Sequence, residues 1–223
     1  MQKFATSAPI AAVLDIPAGR VQFIAADRAD TTVEVLPANA SKSRDVKAAE
    51  QIEVAYADGV LRIEAPAAKN QYFGPSGSVE VTVQLPAGSR IEAKAASAEL
   101  RGVGRLGHVT VDGALGPVKL DEADSAHVTL QAGDISVGRL NGPAQISTQK
   151  GDLHIAEATH GTLTLHTEYG EITVGAARGV SASLDAGTSY GRIHNTLNNT
   201  DGTTAALNIH ATTAYGNITA RSL

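Results

Sequence analysis

Hydrophobic and polar residues alternate with a period of two through much of the chain. Such alternation occurs in segment 79–86 and in segments 52–56 and 60–63, which flank the Gly-containing stretch 57–59. A period of two indicates half-buried strands, and a short Gly-containing connection is typical of a hairpin. Only segment 45–51 has a helical pattern, and it is about two turns long. The N-terminal part of the chain is therefore predicted to be an antiparallel β region.

From about residue 91 onward, the chain repeats a glycine-centred pattern. The clearest glycines follow one another after 18, 19, 21 and 25 residues, and they are Gly133, Gly151, Gly170, Gly191 and Gly216. Ala98 and Gly116 fit as weaker, earlier members of the series. A separation of about 20 residues is typical of a fold built from stacked repeats.

The positions around each glycine follow a common register. Counting the glycine as zero, positions −7, −5, −3, +2 and +4 carry mostly small or β-branched residues. Each repeat is predicted to be two short strands joined at the glycine, and neighbours must stack because one repeat cannot bury its apolar face. The predicted fold class is all-β: a repeat β-solenoid over residues 89–223, capped by the antiparallel β region over residues 1–88. An antiparallel β-sandwich or barrel of hairpins, each turning at the glycine, is the alternative.

The order of these segments resembles a known family. Segments 14–21, 58–63 and 79–89 precede the serial Gly-Asp-Ile-like repeats, and segment 213–219 closes the chain. In this order they are similar to the bacterial putative-adhesin family of β-strand-repeat proteins, whose members carry a domain of unknown function. The resemblance covers nearly the whole chain and implies a β-helical repeat fold. The family name implies an adhesin-like role, and the resemblance brings no catalytic residues with it.

The composition excludes several function classes. With 0 Cys, the chain has no disulfide framework and no cysteine nucleophile. A formal net charge of −5 argues against nucleic acid or an anionic membrane as a partner. No stretch reaches the roughly 18 apolar residues that a membrane-spanning helix needs. The expected location is the cytoplasm, with export by a non-standard route as the alternative.

Three carboxylates occupy position +1 of successive repeats. Asp134, Asp152 and Glu171 should lie about 5 Å apart on a parallel stack. Like charges at that distance repel one another, which would favour a bound Ca²⁺ ion, a cation that prefers oxygen ligands. The alternative is a solvated row of turn acids with Arg192 at one end. No other cofactor is expected.

Three tyrosines directly precede the repeat glycines. Tyr169, Tyr190 and Tyr215 should form a column of stacked rings at one corner of the solenoid. The column could be a platform for a carbohydrate or a peptide. It could equally be an aromatic ladder that stabilises the corner, since offset stacked rings contribute roughly 0.5–1.5 kcal/mol per pair.

Histidines fall at outward positions of the repeats. Asp185 and His210 share position −6 of adjacent repeats, and His166 lies at position −4. A carboxylate that orients a histidine is what a general base requires. No nucleophile motif accompanies the pair, so the alternative is a surface hydrogen bond between strands.

Segment 102–107 has the Gly-x-Gly-x-x-Gly spacing of a dinucleotide-binding fingerprint. That fingerprint must open a helix, whose N-terminus holds the pyrophosphate. The residues that follow, 108–112, instead alternate in the manner of a strand. The match is therefore interpreted as chance, within a turn between repeats.

Three functions remain open from sequence alone. The first is a non-enzymatic binding or scaffold protein with a protein or glycan partner. The second is a carbohydrate-active enzyme on a β-helix, with Asp152 and Glu171 as its carboxylates. The third is homotypic assembly through the free ends of the stack, because uncovered strand edges tend to pair.

Overall fold

The computed structural model describes residues 1–66, 77–199 and 205–223. In chain order its elements are β1 (Gln2–Ala5), β2 (Ala11–Ala26), β3 (Asp30–Pro37), α1 (Ser43–Gln51), β4 (Glu53–Ala57), β5 (Val60–Glu64), β6 (Val79–Pro86), β7 (Arg90–Leu115), β8 (Val118–Ala132), β9 (Ile135–Leu140), β10 (Ala144–Lys150), β11 (Leu153–Ala158), β12 (Gly161–Tyr169), β13 (Ile172–Ala176), β14 (Ala182–Tyr190), β15 (Ile193–Thr196), β16 (Leu207–Tyr215) and β17 (Ile218–Ser222). The short helical pattern of the sequence is confirmed by α1.

The repeats stack in parallel. Strand β10 pairs in parallel with β8 and with β12, and β11 pairs in parallel with β9 and with β13. The register keeps the inward positions in line, so that Ile146 lies opposite both Val128 and Leu165. Successive hairpins would pair antiparallel, so the hairpin sandwich or barrel is excluded. The predicted solenoid is confirmed. We call each repeat, the two strand segments that flank one corner residue, a rung.

The stack begins earlier than the sequence predicts. Strand β2 pairs in parallel with β7 on both sides of Gly19, and Gly19 lies opposite Ala98. Strand β2 is therefore a rung of the solenoid, and strands from both sides of residue 88 belong to one sheet. The repeat register could have revealed this, because Leu14, Ile16 and Val21 occupy positions −5, −3 and +2 around Gly19 and are all buried.

The predicted antiparallel region covers the N-terminal end of the stack. The pairs β1–β3, β3–β6 and β4–β5 are antiparallel, while β5 and β6 each add to β2 in parallel. The apolar side chains of these strands join the same core as those of the solenoid. The cap thus supplies partners for a rung edge that would otherwise be open.

The last two rungs are out of sequence order. Strand β16 lies between β12 and β14, and β17 lies between β13 and β15. The rung made of β14 and β15, which we call the open rung, is therefore the end of the stack. Its position +2 residue, Ile193, is 46% exposed, whereas the equivalent Ile218 is 1% exposed. At position +4 the open rung carries Asn195, which suits an uncovered end.

A column of glycines forms one corner of the solenoid. We call it the glycine corner, and its members are Gly116, Gly133, Gly151, Gly170, Gly216 and Gly191 in spatial order. A Cβ atom on Gly151, whose φ is +147°, would lie 2.2 Å from the carbonyl oxygen of Gly133. The buried Thr167 donates a hydrogen bond of 3.0 Å to the Gly151 carbonyl, and Thr213 does the same for Gly170. These rungs therefore use glycine for close approach and threonine at position −3 to satisfy the corner carbonyls.

An ion-paired carboxylate joins the first strands of the cap. Nε of Arg28 donates to Oδ1 of Asp30 at 2.8 Å, and Nζ of Lys3 lies 3.0 Å from Oδ2. The hydrogen bond from Arg28, followed by that from Lys3, lowers the pKa of Asp30 from 3.8 to about 2. The two cations stabilise the charged form of the carboxyl group.

The protein should lose part of its stability as the pH falls from about 4 to about 2, because Asp30 becomes protonated in that window. The pKa of Asp30 is lower in the folded chain than in the unfolded one. The stability that ionised Asp30 contributes is therefore fully present above about pH 4 and is lost as the pH falls toward about 2. Denaturant unfolding of the wild type and of Asp30→Asn at several pH values measures this, and the stability difference between them should shrink toward pH 2. Asp27→Asn, an exposed neighbour, is the control; a pH-independent difference for Asp30→Asn would contradict the prediction.

Candidate functional site

Three exposed tyrosines form a stacked column beside the glycine corner. The ring centroids of Tyr169 and Tyr215 are 5.0 Å apart with an interplanar angle of 1°, and those of Tyr190 and Tyr215 are 4.8 Å apart at 4°. The predicted column is therefore present, but its order is Tyr169, Tyr215, Tyr190. We call these three residues the tyrosine column. Their exposed fractions are 54%, 47% and 68% respectively.

The backbone places the column. Each tyrosine is the last residue of its strand, so in-register pairing of β12, β16 and β14 brings the three rings into line. Tyr215 is covered on both faces by its neighbours. Among the described strands, the open rung is paired only with β16 and β17, so the outer ring face of Tyr190 lies at the end of the stack.

The predicted acidic row lies on the other side of the same corner. Asp134, Asp152 and Glu171 are exposed and occupy adjacent rungs. Oδ1 of Asp134 accepts a hydrogen bond from the backbone N–H of Asp152 at 2.9 Å, and Oδ1 of Asp152 accepts one from that of Glu171 at 2.8 Å. Each of these aspartates therefore satisfies a backbone donor of the next rung.

The end of this row also differs from the sequence order. Oε1 of Glu171 accepts a hydrogen bond from Nδ2 of Asn217 at 3.0 Å, and Oδ1 of Asn217 accepts one from the backbone of Arg192 at 3.0 Å. Arg192 does stand at one end of the row, with Asn217 between it and Glu171. Polar side chains thus link successive rungs from Asp134 to Arg192.

The acidic row does not converge as a calcium site must. Calcium takes roughly six to eight oxygen ligands around one point, whereas these carboxylates are spaced along a straight edge and are already hydrogen-bonded. Within the part of the chain that the structure describes, no group of three or more His, Cys, Asp or Glu side chains could hold a metal ion. The geometry of Asp134, Asp152 and Glu171 fits a role in joining rungs.

The outward histidines lie on the strands that lead into the corner. Nδ1 of His210 is 3.3 Å from Oδ2 of Asp185, so the pair expected from the sequence is formed. Nδ1 of His166 is 2.9 Å from Oγ1 of Thr212. His166 and His210 therefore have separate partners. With side chains 51% and 83% exposed, His210 and Asp185 form a solvated surface pair.

The fingerprint-like segment 102–107 lies within strand β7. The strand changes register between Gly102 and Arg105, with Gly104 at φ +77°, and continues through residue 112. A strand thus occupies the place of the helix that a dinucleotide site would require.

Comparison with known proteins places the chain in a family. The family model described as Toastrack DUF4097 matches residues 92–221, more than half of the chain. The chain belongs to the Toastrack DUF4097 family. The resemblance to bacterial putative adhesins of unknown function is thereby confirmed. No curated protein matches the chain.

Solved structures are similar to this chain at low sequence identity. A putative lipid binding protein from Parabacteroides distasonis is 12% identical, with 98% of this chain and 95% of that chain covered and a TM-score of 0.50. A putative adhesin from Bacteroides fragilis is 14% identical, with coverage of 98% and 95% and a TM-score of 0.49. A putative adhesin from the same Parabacteroides species is 13% identical, with the same coverage and a TM-score of 0.44. At these identities the likeness extends to the fold alone.

The described residues include no helix with the length and apolar character needed to cross a membrane.

Proposed function

We propose that this Toastrack protein is a non-enzymatic binding protein that contacts a protein partner through the tyrosine column and the polar face beside it. The observation that supports this is the exposure of the column. The whole chain has 5 Tyr and 3 Phe, and three of these aromatic residues lie in one rigid, solvent-exposed row. Tyrosine is enriched at protein interfaces because its ring is large, rigid and able to hydrogen-bond.

The shape of the surface favours a macromolecular partner. Small-molecule sites are concave, whereas the column stands on the outer edge of parallel strands. A standard interface buries about 800 Å² of each partner, which is more than three rings supply. His166, His210 and Asp185 are exposed on the same strands and extend the contact surface.

The carboxylates that an enzyme would use have structural partners. Oδ1 of Asp152 and Oε1 of Glu171 both accept hydrogen bonds from the neighbouring rung. Their place on the exposed edge of the corner supports a role in stacking the rungs. The proposal accordingly assigns no catalytic residue.

A photoreactive residue at the column tests the proposal. p-Benzoylphenylalanine in place of Tyr190 keeps an aromatic ring at the end of the column. Irradiation in host-cell extract should give one discrete adduct with another protein. Leu115, which is 51% exposed and precedes Gly116 just as the tyrosines precede their glycines, is the control position and should give no such adduct.

Binding of the captured protein should then depend on the column. Tyr190→Ser and Tyr215→Ser should each weaken the affinity by about thirtyfold, the effect of losing an interface residue that contributes roughly 2 kcal/mol. Leu115→Ser should leave the affinity unchanged. An adduct with a second copy of this chain would instead indicate self-association through the open rung, and an adduct with polysaccharide would indicate a glycan ligand. The same photoreactive residue can replace Tyr169 and Tyr215 in turn. Absence of any adduct from all three positions would reject the proposal.

The location of the protein is a separate prediction. The cytoplasm is the expected compartment and export the alternative, and fractionation of the host cell distinguishes them.

A further inference from the structure

A cavity of about 300 Å³ lies on the outer surface near the N-terminal end of the stack, far along the rod from the tyrosine column. Its lining includes Pro17, Ala96 and Ala114, which occupy position −2 of three successive rungs. The same position carries the longer Gln149 and Glu168 in later rungs. The cavity exists because three short side chains follow one another. Its volume lies at the lower end of the range for small-molecule sites.

Charged side chains border the short side chains of Pro17, Ala96 and Ala114 in this cavity. Lys94 lies opposite Asp15 in the pairing of β2 with β7, and Asp112 occupies the same repeat position in the following rung. All three line the cavity, together with Gln131. We call these four residues the zwitterion groove. An acid, a base and an acid thus follow one another at intervals of about 4.8 Å, the spacing of hydrogen-bonded strands.

The charges of the zwitterion groove remain available. In the part of the chain that the structure describes, the side chains of Asp15, Lys94 and Asp112 make no hydrogen bond or ion pair. Acids and bases on neighbouring rungs elsewhere do pair: Arg20 with Glu99 at 3.1 Å and Arg101 with Asp121 at 2.9 Å. Neighbouring acids and bases that border a cavity without pairing with one another are placed to bind a ligand that carries both charges.

We propose that the zwitterion groove binds a small zwitterion of the α-amino-acid type. The ligand carboxylate pairs with Lys94, its ammonium group pairs with Asp112 and the amide oxygen of Gln131, and its short aliphatic part lies on Pro17, Ala96 and Ala114. Charge-assisted hydrogen bonds at both ends of the ligand select for it. A simple anion is disfavoured because two carboxylates flank the single lysine. A simple cation is disfavoured by Lys94 itself.

The site is independent of the proposed protein-binding surface. No residue of the zwitterion groove belongs to the tyrosine column or to the strands that carry it. Loss of ligand binding here would leave partner capture at Tyr190 unaffected. The two proposals can therefore fail separately.

Titration of the full chain with L-alanine, followed by NMR of the backbone amides, tests the proposal. Saturable shifts should appear at residues 94–96 and 112–114, with a dissociation constant in the millimolar range because the charges are exposed to water. Ethylamine and acetate, which each carry one half of the zwitterion, should give no saturable shifts. Absence of saturation with L-alanine, or equal binding of either half-ligand, would overturn the proposal.

Charge-removing variants locate the site. Lys94→Gln and Asp112→Asn should each weaken L-alanine binding at least tenfold. Lys119→Gln and Glu92→Gln remove the same charges from exposed strand positions outside the cavity and should leave binding unchanged. All four side chains are exposed, so the amide spectrum should show that each variant is folded. Unchanged affinity in both groove variants would overturn the assignment.

Discussion

Gly151→Ala should lower the unfolding free energy by about 3–5 kcal/mol, a loss at the upper end of what single substitutions cause. The new Cβ atom would lie 2.2 Å from the carbonyl oxygen of Gly133, at a φ of +147° that side chains rarely adopt. The Gly133 rung cannot simply withdraw, since the backbone N–H of Gly133 donates to the carbonyl oxygen of Lys150 at 2.9 Å and holds the two rungs together. Denaturant unfolding measures the change, and the melting temperature should fall by roughly 10 °C.

A second glycine of the same sheet is the matched control. Gly187 lies in β14, and a Cβ atom there would meet nothing within 4 Å. Gly187→Ala should therefore be neutral or stabilise the protein by up to about 1 kcal/mol, because alanine restricts the unfolded chain. Equal losses at Gly151 and Gly187 would show that the close contact at the corner is not what requires glycine.

The sequence predicts the rung itself well. The period of the glycines and the alternation around them depend on local geometry that every rung must satisfy: glycine at the close approach, apolar residues inside. The same local rule applies to β2, and recognising Gly19 as a corner residue would have extended the stack to its true start. The tyrosine column follows from the same rule, because a fixed position in each repeat becomes a column in space.

The order of the rungs could not be predicted in this way. All rungs share the same pattern of inward residues, so almost any rung can stack on any other. The glycine period and the apolar–polar alternation therefore fit both the sequential and the observed order of rungs. Only a small feature of the sequence distinguishes the two orders. At position +4 the open rung carries Asn195, whereas other rungs carry the buried Val174 and Ala220. A polar residue at an inward position indicates a rung with one uncovered side, since a buried amide without partners is costly.

The zwitterion groove was missed for a different reason. A cavity arises from side chains that are short in several rungs at once, and alanines such as Ala96 and Ala114 carry no chemical signal in the sequence. Lys94 is equally inconspicuous, because nothing in the sequence shows that its neighbours Asp15 and Asp112 leave it unpaired. Such a site becomes visible only when the register of three rungs is known.

The observed order of the rungs predicts a large asymmetry between two equivalent isoleucines. Ile218→Ala should lower the unfolding free energy by about 3 kcal/mol, because Ile218 is 1% exposed between two rungs and its truncation leaves a cavity. Ile193→Ala at the same repeat position should cost less than about 1 kcal/mol, because Ile193 is 46% exposed on the open rung. Denaturant unfolding of the two variants measures the difference. If the rungs stacked in sequence order, Ile218 would lie at the end and the two effects would be reversed.

Engineered cysteine pairs give an independent readout of the same order, and the 0 Cys of the natural chain leave no competing thiols. His166 and Thr212 are register partners, so the double variant His166→Cys with Thr212→Cys should form a disulfide under mild oxidation. Their Cα atoms are one strand spacing apart, about 4.8 Å, which lies within the range for a disulfide. His166 and Gly187 are two spacings apart, about 10 Å, so the pair His166→Cys with Gly187→Cys should remain reduced. Cross-linking of the second pair in place of the first would mean that β14 lies directly against β12, and the open rung would then be the C-terminal one.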